Sequence, residues 1–437
     1  MMETSIHVVV IGAGAAGLEA ARCLSCAGIG VTLLEARSRI GGRILTLHDP
    51  QQPVPIELGA EFVHGRNAET WDLIRQRHLA AYDVSENEEF TPPGRTDAEA
   101  ISRGFEEVLG RLQEQRGSDQ SFSQFLEASA ADASAEVKAA VSAYIEGFYA
   151  ADQQLVSTHW LRETEREVGP SRNRSFRIQS GHDRIAQAIL DGCDQRYLSL
   201  RLSCAVTCVR WQAGSVLVDM LAPEGREESL RVDRAVIAVP LGVLQAPRSA
   251  PGAIAFEPPL AEKQAALESL QMGPVVKVVL AFQEPIWEER SQDVTFFHAP
   301  QETFATWWTM HPMRTSLLVG WAGGSRAQPL VRLSRLEVID RALASASAAL
   351  AVDRTRLEAQ LVASHAHDWQ GDPFSRGAYS YAVVGGAGAP SELAAPIEST
   401  LFFAGEATHP TLGGTVAGAI ASGRRAAEEV LSTLRIP

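Results

Sequence analysis

The sequence predicts an α/β chain, a doubly wound parallel sheet joined to an α+β second domain that is built from insertions. Three observations predict it. A β-branched run at residues 6–11 leads straight into the turn Gly12-Ala13-Gly14-Ala15-Ala16-Gly17. At the far end, an apolar run at 401–404 leads into Gly405-Glu406 and a small-residue helix from about Thr415. Between these ends the pattern changes, to helical periodicity over about 100–150 and strand alternation over 275–321.

Size and charge bound what such a chain can be. It has 437 residues, more than one hydrophobic core usually supports, so two packed domains are expected. Its 39 basic and 53 acidic residues leave a net charge of −14, which disfavours phosphate backbones and favours the approach of cations. No nucleic-acid partner is expected. No apolar run reaches about 18 residues, so no membrane span is expected. The start, Met1-Met2-Glu3-Thr4-Ser5, has no basic n-region, and the end, Leu434-Arg435-Ile436-Pro437, has no hydrophobic tail. Five sparse cysteines fit reduced thiols and a cytoplasmic location. Cys23 and Cys26 form a CxxC inside a helix, where packing is expected and no metal site.

The N-terminal elements each have a physical task. Residues 6–11 read as a buried parallel strand. Gly12 permits the tight turn, Gly14 lets a pyrophosphate approach backbone amides, and Gly17 packs helix on strand, with Ala16 between them in the helix start. An Ala/Leu-rich helix runs to about Ala27, and Gly28 and Gly30 break it. The next strand, at 31–34, ends at Glu35, whose carboxylate suits ribose hydroxyls and disfavours a 2′-phosphate. Strand, GxGxxG, helix, second strand and acid together make a dinucleotide site. A second glycine turn then follows, Glu35-Ala36-Arg37-Ser38-Arg39-Ile40-Gly41-Gly42-Arg43. Two phosphate-facing loops suit FAD better than an exchanging nicotinamide. Here the chain resembles the flavin amine oxidase family, closest to its polyamine oxidase and lysine-specific histone demethylase branch.

The resemblance implies a Rossmann-type FAD-binding domain at 1–78, 178–268 and 395–437, and a substrate domain at 79–177 and 269–394. It implies noncovalent FAD, because no cysteine follows Cys208. Besides Gly12, Gly14, Ala16, Gly17, Glu35, Arg37, Gly42 and Arg43, it places Val206 on the adenine side. The strand ending Ala238-Val239-Pro240-Leu241 would run beside the cofactor. Gly405, Glu406, Thr415 and Val416 would hold the ribityl, phosphate and ring portions, where a helix N-terminus meets an electron-rich edge. The loop Glu57-Leu58-Gly59-Ala60-Glu61-Phe62-Val63-His64-Gly65 resembles the G-A-x-x-x-H-G loop of acetylpolyamine and spermine oxidases. The backbone of Gly59, Ala60 and Glu61 would pass the flavin, and His64 would face the amine.

Lys277 interrupts Val275-Val276-Lys277-Val278-Val279-Leu280-Ala281-Phe282, a run apolar on both faces. Such an ammonium must snorkel, pair or lose its proton, unless the strand is an edge and the lysine faces water. The resemblance gives it a role beside flavin N5 in reoxidation by oxygen. The segment Trp369-Gln370-Gly371-Asp372-Pro373-Phe374-Ser375-Arg376-Gly377-Ala378-Tyr379-Ser380-Tyr381 resembles polyamine oxidases and demethylases. It would set Trp369 against the flavin, with Arg376 and Asp372 tying the loop. Phe297, Trp308, Tyr379, Tyr381 and Thr415 are the candidate substrate pocket.

The resemblance thus implies oxidation of a polyamine-like or other amine to an imine, with O2 reduced to H2O2 and no obligate protein partner. The chain departs from the pattern at Ala417, where the branch often has histidine. It departs again at Val275, where plant polyamine oxidases have an aromatic. An L-amino-acid oxidase, a tailoring amine oxidase and a protoporphyrinogen-type desaturase remain as alternatives. The first of these would need an arginine for the carboxylate, with Arg66, Arg103 and Arg314 as candidates. Desaturases of that type generally lack the lysine.

Overall fold

The computed structural model describes residues 6–84, 87–90, 98–168 and 174–434. The turn read at Thr91-Pro92-Pro93-Gly94 lies outside the described residues, as do 1–5 and 435–437. A five-stranded parallel sheet forms the base, in the order Leu401–Phe403, Arg234–Ile237, His7–Ile11, Gly30–Leu34, Leu198–Arg201. Its central strand is buried on both faces through Val8, Val9 and Val10, as a parallel strand covered on both sides must be. Helices Ala15–Cys26, Asp183–Asp191 and Val416–Leu434 cover one face. The layer on the other face is a sheet, formed by Glu227–Val232, Ser215–Leu221, Ala205–Gln212 and Ala255–Glu257. Alternation produces this layer, since Val209, Val216 and Val218 turn inward onto Val9 and Ile11.

The second sheet has six strands, in the order Leu361–Ala366, Val275–Phe282, Leu317–Gly323, Thr306–Thr309, Phe296–His298, Glu88–Phe90. The strand bearing Lys277 therefore sits one in from the edge, antiparallel to both neighbours. Helix Arg335–Leu350 packs on one face of this sheet. Val54, Ile56 and Leu58, which lead into the glycine-alanine loop, pack on the other beside Val279 and Val319. Helices Ala98–Glu114, Phe122–Ser129, Ala135–Tyr149 and Thr158–Val168 complete the insertion, with Leu109 and Leu112 buried at helical spacing.

All five parallel strands fall within 1–78, 178–268 and 395–437, and all six of the second sheet within 79–177 and 269–394. A small sheet joins the two lots. Val63–His64 and Ala81–Val84 both pair with Ser175–Ile178, which lies between them, so the His64 segment is an edge strand held on one side.

Candidate active site

One long cavity of about 1270 Å³ runs between the two sheets. At one end it is lined by Gly12, Gly14, Ala15, Ala16, Glu35 and Arg37. Gly12 has φ +102°, which a side chain would oppose, and a Cβ on Gly17 would meet the Gly12 carbonyl oxygen at 1.8 Å. Both glycines are thus demanded by the turn itself. Gly14 differs, because a Cβ there meets nothing within 4 Å. The space above it belongs to the cavity, and the first-turn amides of Ala15–Cys26 have no intrahelical acceptor. Glu35 accepts from Ala13 N–H at 2.8 Å and from Arg37 N–H at 2.9 Å, keeping lone pairs for further donors. Amides, an acceptor carboxylate and an open approach over Gly14 fit the diphosphate and ribose of FAD.

The arginines beside this turn are engaged. Arg37 donates to Asp372 at 2.7 Å and to Ser375 at 2.9 Å. Asp372 also meets His367 Nε2 at 2.9 Å, so it does tie the loop, and Arg376 donates to the Pro251 carbonyl. Arg43 donates to Glu406 at 2.8 Å and to the Ala378 carbonyl at 2.7 Å. The other Glu406 oxygen accepts from Ser380 Oγ at 2.7 Å and Gly414 N–H at 2.9 Å. Burial would raise this carboxyl's pKa, and Arg43 with these donors holds it below the usual range. Glu406 therefore acts by fixing Arg43, Ser380 and Gly414 along the wall. Thr415 Oγ accepts from Gly418 N–H at 2.9 Å, capping the helix that starts at Val416. Trp369 donates to the Leu58 carbonyl at 2.9 Å, locking it against the glycine-alanine loop.

The other end of the cavity is built from buried charge. Lys277 is 2 % exposed and pairs, donating to Glu61 Oε2 at 2.7 Å and to the Gly59 carbonyl at 3.2 Å. Glu61 Oε1 accepts from Arg177 Nε at 2.7 Å and Trp308 Nε1 at 2.9 Å. Arg177 also donates to the Thr309 carbonyl at 3.1 Å and lies over the Phe62 ring. Burial opposes the Glu61 charge, and the Lys277 and Arg177 cations outweigh it, holding the carboxyl below its ordinary range. An ammonium has three N–H groups, so Lys277 keeps one beyond these two contacts. His64 Nδ1 lies 3.1 Å from Ser175 Oγ, and burial lowers its pKa to about 4, so the ring is neutral at pH 7. Phe62, Phe148, Phe296, Trp308 and Trp321 surround this end.

The structure thus places Lys277, His64, Gly12, Gly14, Ala16, Glu35, Arg37, Gly42, Arg43, Gly59, Ala60, Glu61, Val206, Trp369, Gly405, Glu406, Thr415 and Val416 on one cavity. Gly17 packs beneath it. Trp308 and Tyr379 line it, and Tyr379 donates to the Phe148 carbonyl at 3.0 Å. Val275 and Ala417 line it as well.

Two pocket expectations are corrected. Phe297 turns away from the cavity into the core under helix Arg335–Leu350, because alternation gives the cavity face to Phe296. Tyr381 shares a strand face with Tyr379 but lies two residues further along, where it is packed in the helical core. Of the candidate arginines, Arg66 lines the cavity, while Arg314 is exposed and paired with Glu288 and Asp293. Arg103 lies on an exposed face, donating to the Glu99 carbonyl. Cys23 contacts Glu19, and burial pushes its thiol up to about 12, which leaves it inert. Among the described residues there is no metal-ligating cluster and no helix long and apolar enough to cross a membrane.

Sequence reading missed Arg177 and the side-chain role of Glu61. The signal for Arg177 was the same as for Lys277, a cation between apolar neighbours, Phe176 and Ile178. What hid Glu61 was its partners, which come from positions 177, 277 and 308.

Comparison with known proteins agrees with this geometry. A family model described as flavin containing amine oxidoreductase matches residues 15–431. The chain is 29% identical to polyamine oxidase 4 of Oryza sativa subsp. japonica, over 97% of this chain and 88% of that protein. It is 27% identical to lysine-specific histone demethylase 1 homolog 3 of Arabidopsis thaliana, over 98% of this chain and 30% of that protein. Against human lysine-specific histone demethylase 2 it spans 53% of the relative, at 28% identity. The chain therefore spans about half or less of these demethylases. Among solved structures, wild-type putrescine oxidase bound to putrescine superposes with a TM-score of 0.80 at 21% identity, covering 98% of this chain and 99% of that one.

Proposed function

This chain belongs to the flavin-containing amine oxidoreductase family, and from that premise we propose that it is an FAD-dependent oxidase of amines that reduces O2 to H2O2. One observation carries the reading. A cation held on Glu61 stands in the wall of the cavity whose far end is a dinucleotide turn. FAD, when bound, supplies the acceptor for the two electrons that an amine C–H bond gives up.

The chain's own residues do the rest. Gly12, Gly14, Ala16, Glu35 and Arg43 hold the nucleotide portion, and Trp369, Thr415 and Val416 border the ring portion. Lys277, charged and fixed, presents a proton and a positive field to oxygen as it is reduced. His64, held neutral by burial, accepts a hydrogen bond from the substrate nitrogen. The rings of Phe62, Phe148, Phe296, Trp308 and Trp321 exclude water and orient a small amine. Exposed Glu88, Glu106 and Glu167 also line the cavity, which favours a substrate with a second cationic group, such as a polyamine.

The test is anaerobic addition of spermine, spermidine, N-acetylspermine, simple monoamines and L-amino acids to the purified yellow protein. Bleaching by a polyamine or a monoamine is the expected result. Bleaching by L-amino acids alone would move the reading to an amino-acid oxidase. Bleaching by dithionite and by no amine would overturn it.

A further inference from the structure

Beside Glu61 lies a second, small pocket of about 20 Å³, which reaches toward the surface at exposed Gln179. Its polar lining is Glu57, Glu61, Tyr82, Arg177 and Gln179, and the remainder is aliphatic or Met310. A space of that size admits one water when several polar groups face it, and these side chains offer both donors and acceptors. Glu61 borders both spaces, so it separates this pocket from the reaction end.

The amine-oxidase reading does not use Glu57. Its oxygens accept from Thr46 Oγ at 2.6 Å and from His182 N–H at 2.7 Å. Thr46 in turn accepts from Asp183 N–H at 3.1 Å, and Asp183 meets His48 Nε2 at 2.9 Å in an exposed pair. Glu57 thus has Thr46 and the His182 amide on one side and the small pocket shared with Glu61 on the other. The charged and titratable groups that bear on it are Lys277 from its strand, Glu61 from its loop, and Arg177, Tyr82, His182 and Asp183.

We propose that Glu57 is a proton store which recharges Lys277, through a water admitted to this small pocket and Glu61, when oxygen is reduced. The inference rests on the oxidase reading. The balance is RCH2NH3+ + O2 → RCH=NH2+ + H2O2. The amine gives up two electrons and two protons, one from nitrogen before the C–H bond breaks and one from carbon, and oxygen takes up both protons. The nitrogen proton leaves early and is required late, so a group must hold its equivalent between the two events. Lys277 gives that proton to oxygen, and Glu57 restores it without electron transfer of its own. Burial raises the Glu57 pKa to about 7, which suits a group that both binds and releases a proton near neutrality. Glu57 acts through Lys277 and does not itself meet substrate.

The experiment uses the holoprotein reduced by dithionite, so that it stands even if no amine is a substrate. Reoxidation on mixing with O2 is followed by flavin absorbance from pH 5.5 to 8.5. Wild type is expected to slow as pH rises through about 7, and Glu57→Gln to lose that inflection with reoxidation about tenfold slower at pH 6. Infrared titration of the same proteins should show a carboxyl band that disappears near pH 7 in wild type and is absent in Glu57→Gln. Tyr82→Phe, which alters the pocket's lining and leaves Glu57 in place, should keep the band and shift the inflection. An unchanged pH profile in Glu57→Gln, or no carboxyl band titrating near neutrality, would overturn the proposal. Failure of every amine to bleach the flavin would instead strike the oxidase reading alone.

Discussion

Two carboxylates on the same cavity are held in opposite ways. Glu35, at the nucleotide end, takes two backbone N–H groups from its own neighbourhood, Ala13 and Arg37, with the Arg37 guanidinium 3.8 Å away. Glu61, at the reaction end, takes only side chains, from Lys277, Arg177 and Trp308. The first arrangement is local and follows from strand–turn–helix geometry, so the fold alone sets it. The second brings two cations onto one anion in a space nearly closed to water, and each partner depends on the others. Binding a nucleotide needs fixed dipoles, whereas reaction at a chosen atom needs a fixed charge, and the two ends are built accordingly.

The sharpest way to break this comparison is to remove each carboxylate. Glu61→Ala leaves Lys277 and Arg177 buried without their anion and should cost about 3–5 kcal/mol of stability. Glu35→Gln keeps an acceptor for only one of the two backbone donors, which sit on different oxygens, and should cost about 1–2 kcal/mol. Denaturant unfolding at saturating FAD measures both, with the added flavin keeping ligand loss from mimicking instability. Equal losses would mean that Glu61 is no more a hub than Glu35.

Lys277→Met comes next. Glu61 keeps Arg177 and Trp308, so the fold and the yellow colour should persist, while the charge facing the cavity is gone. Reoxidation of the reduced protein by O2 should slow by about 10²-fold, the usual scale for losing a positioned proton donor or charge. Unchanged oxygen kinetics in a stopped-flow experiment would remove Lys277 from the chemistry. The glycine turn offers a smaller contrast. Gly17→Ala drives a methyl into the Gly12 carbonyl and should destabilise by about 1–3 kcal/mol with or without flavin. Gly14→Ala meets no protein atom, so its unfolding midpoint without added flavin should match wild type while FAD affinity falls. If both variants behaved alike, the space over Gly14 would not be the ligand's.

These contrasts follow the division between what was and was not legible in the sequence. The parallel sheet, its glycine turn and Glu35 were legible because their contacts span a few residues and each residue type has one physical reason to stand there. Lys277 was legible as an anomaly, a charge in an apolar strand, though its partner was not. Glu61 carried only the suggestion of a backbone role, and Arg177 drew no notice, because register between separate sheets decides which side chains meet. Phe297 and Tyr381 went astray for a related reason. Composition shows that aromatics cluster there, but strand phase and distance along the strand decide which of them reach the cavity. The second face of the parallel sheet likewise depended on where 205–232 folded back, and its alternation gave strands without giving their place.

The smallest effect concerns pH, and it tests the reaction end against itself. His64 and His182 have pKa values lowered to about 4 by burial, below the ordinary 6.5. The unfolded chain therefore binds more protons on these rings between pH 4 and 6.5, and their contribution to stability is lost as pH falls through that window. Glu57 has the opposite sign. Its pKa is raised from 4.5 to about 7, so the folded state binds the extra proton, and stability is lost as pH rises from 4.5 to 7. Between pH 4.5 and 6.5 the two effects oppose each other and flatten the dependence of Tm on pH. Glu57→Gln removes one side of the balance, so Tm should climb more steeply with pH across this window, by roughly 2 °C over its span. His182→Asn should make it climb less steeply. A Glu57→Gln curve parallel to wild type would mean that the carboxyl beside the small pocket titrates as an ordinary surface acid, and that the reaction end holds its charge on Glu61, Lys277 and Arg177 alone.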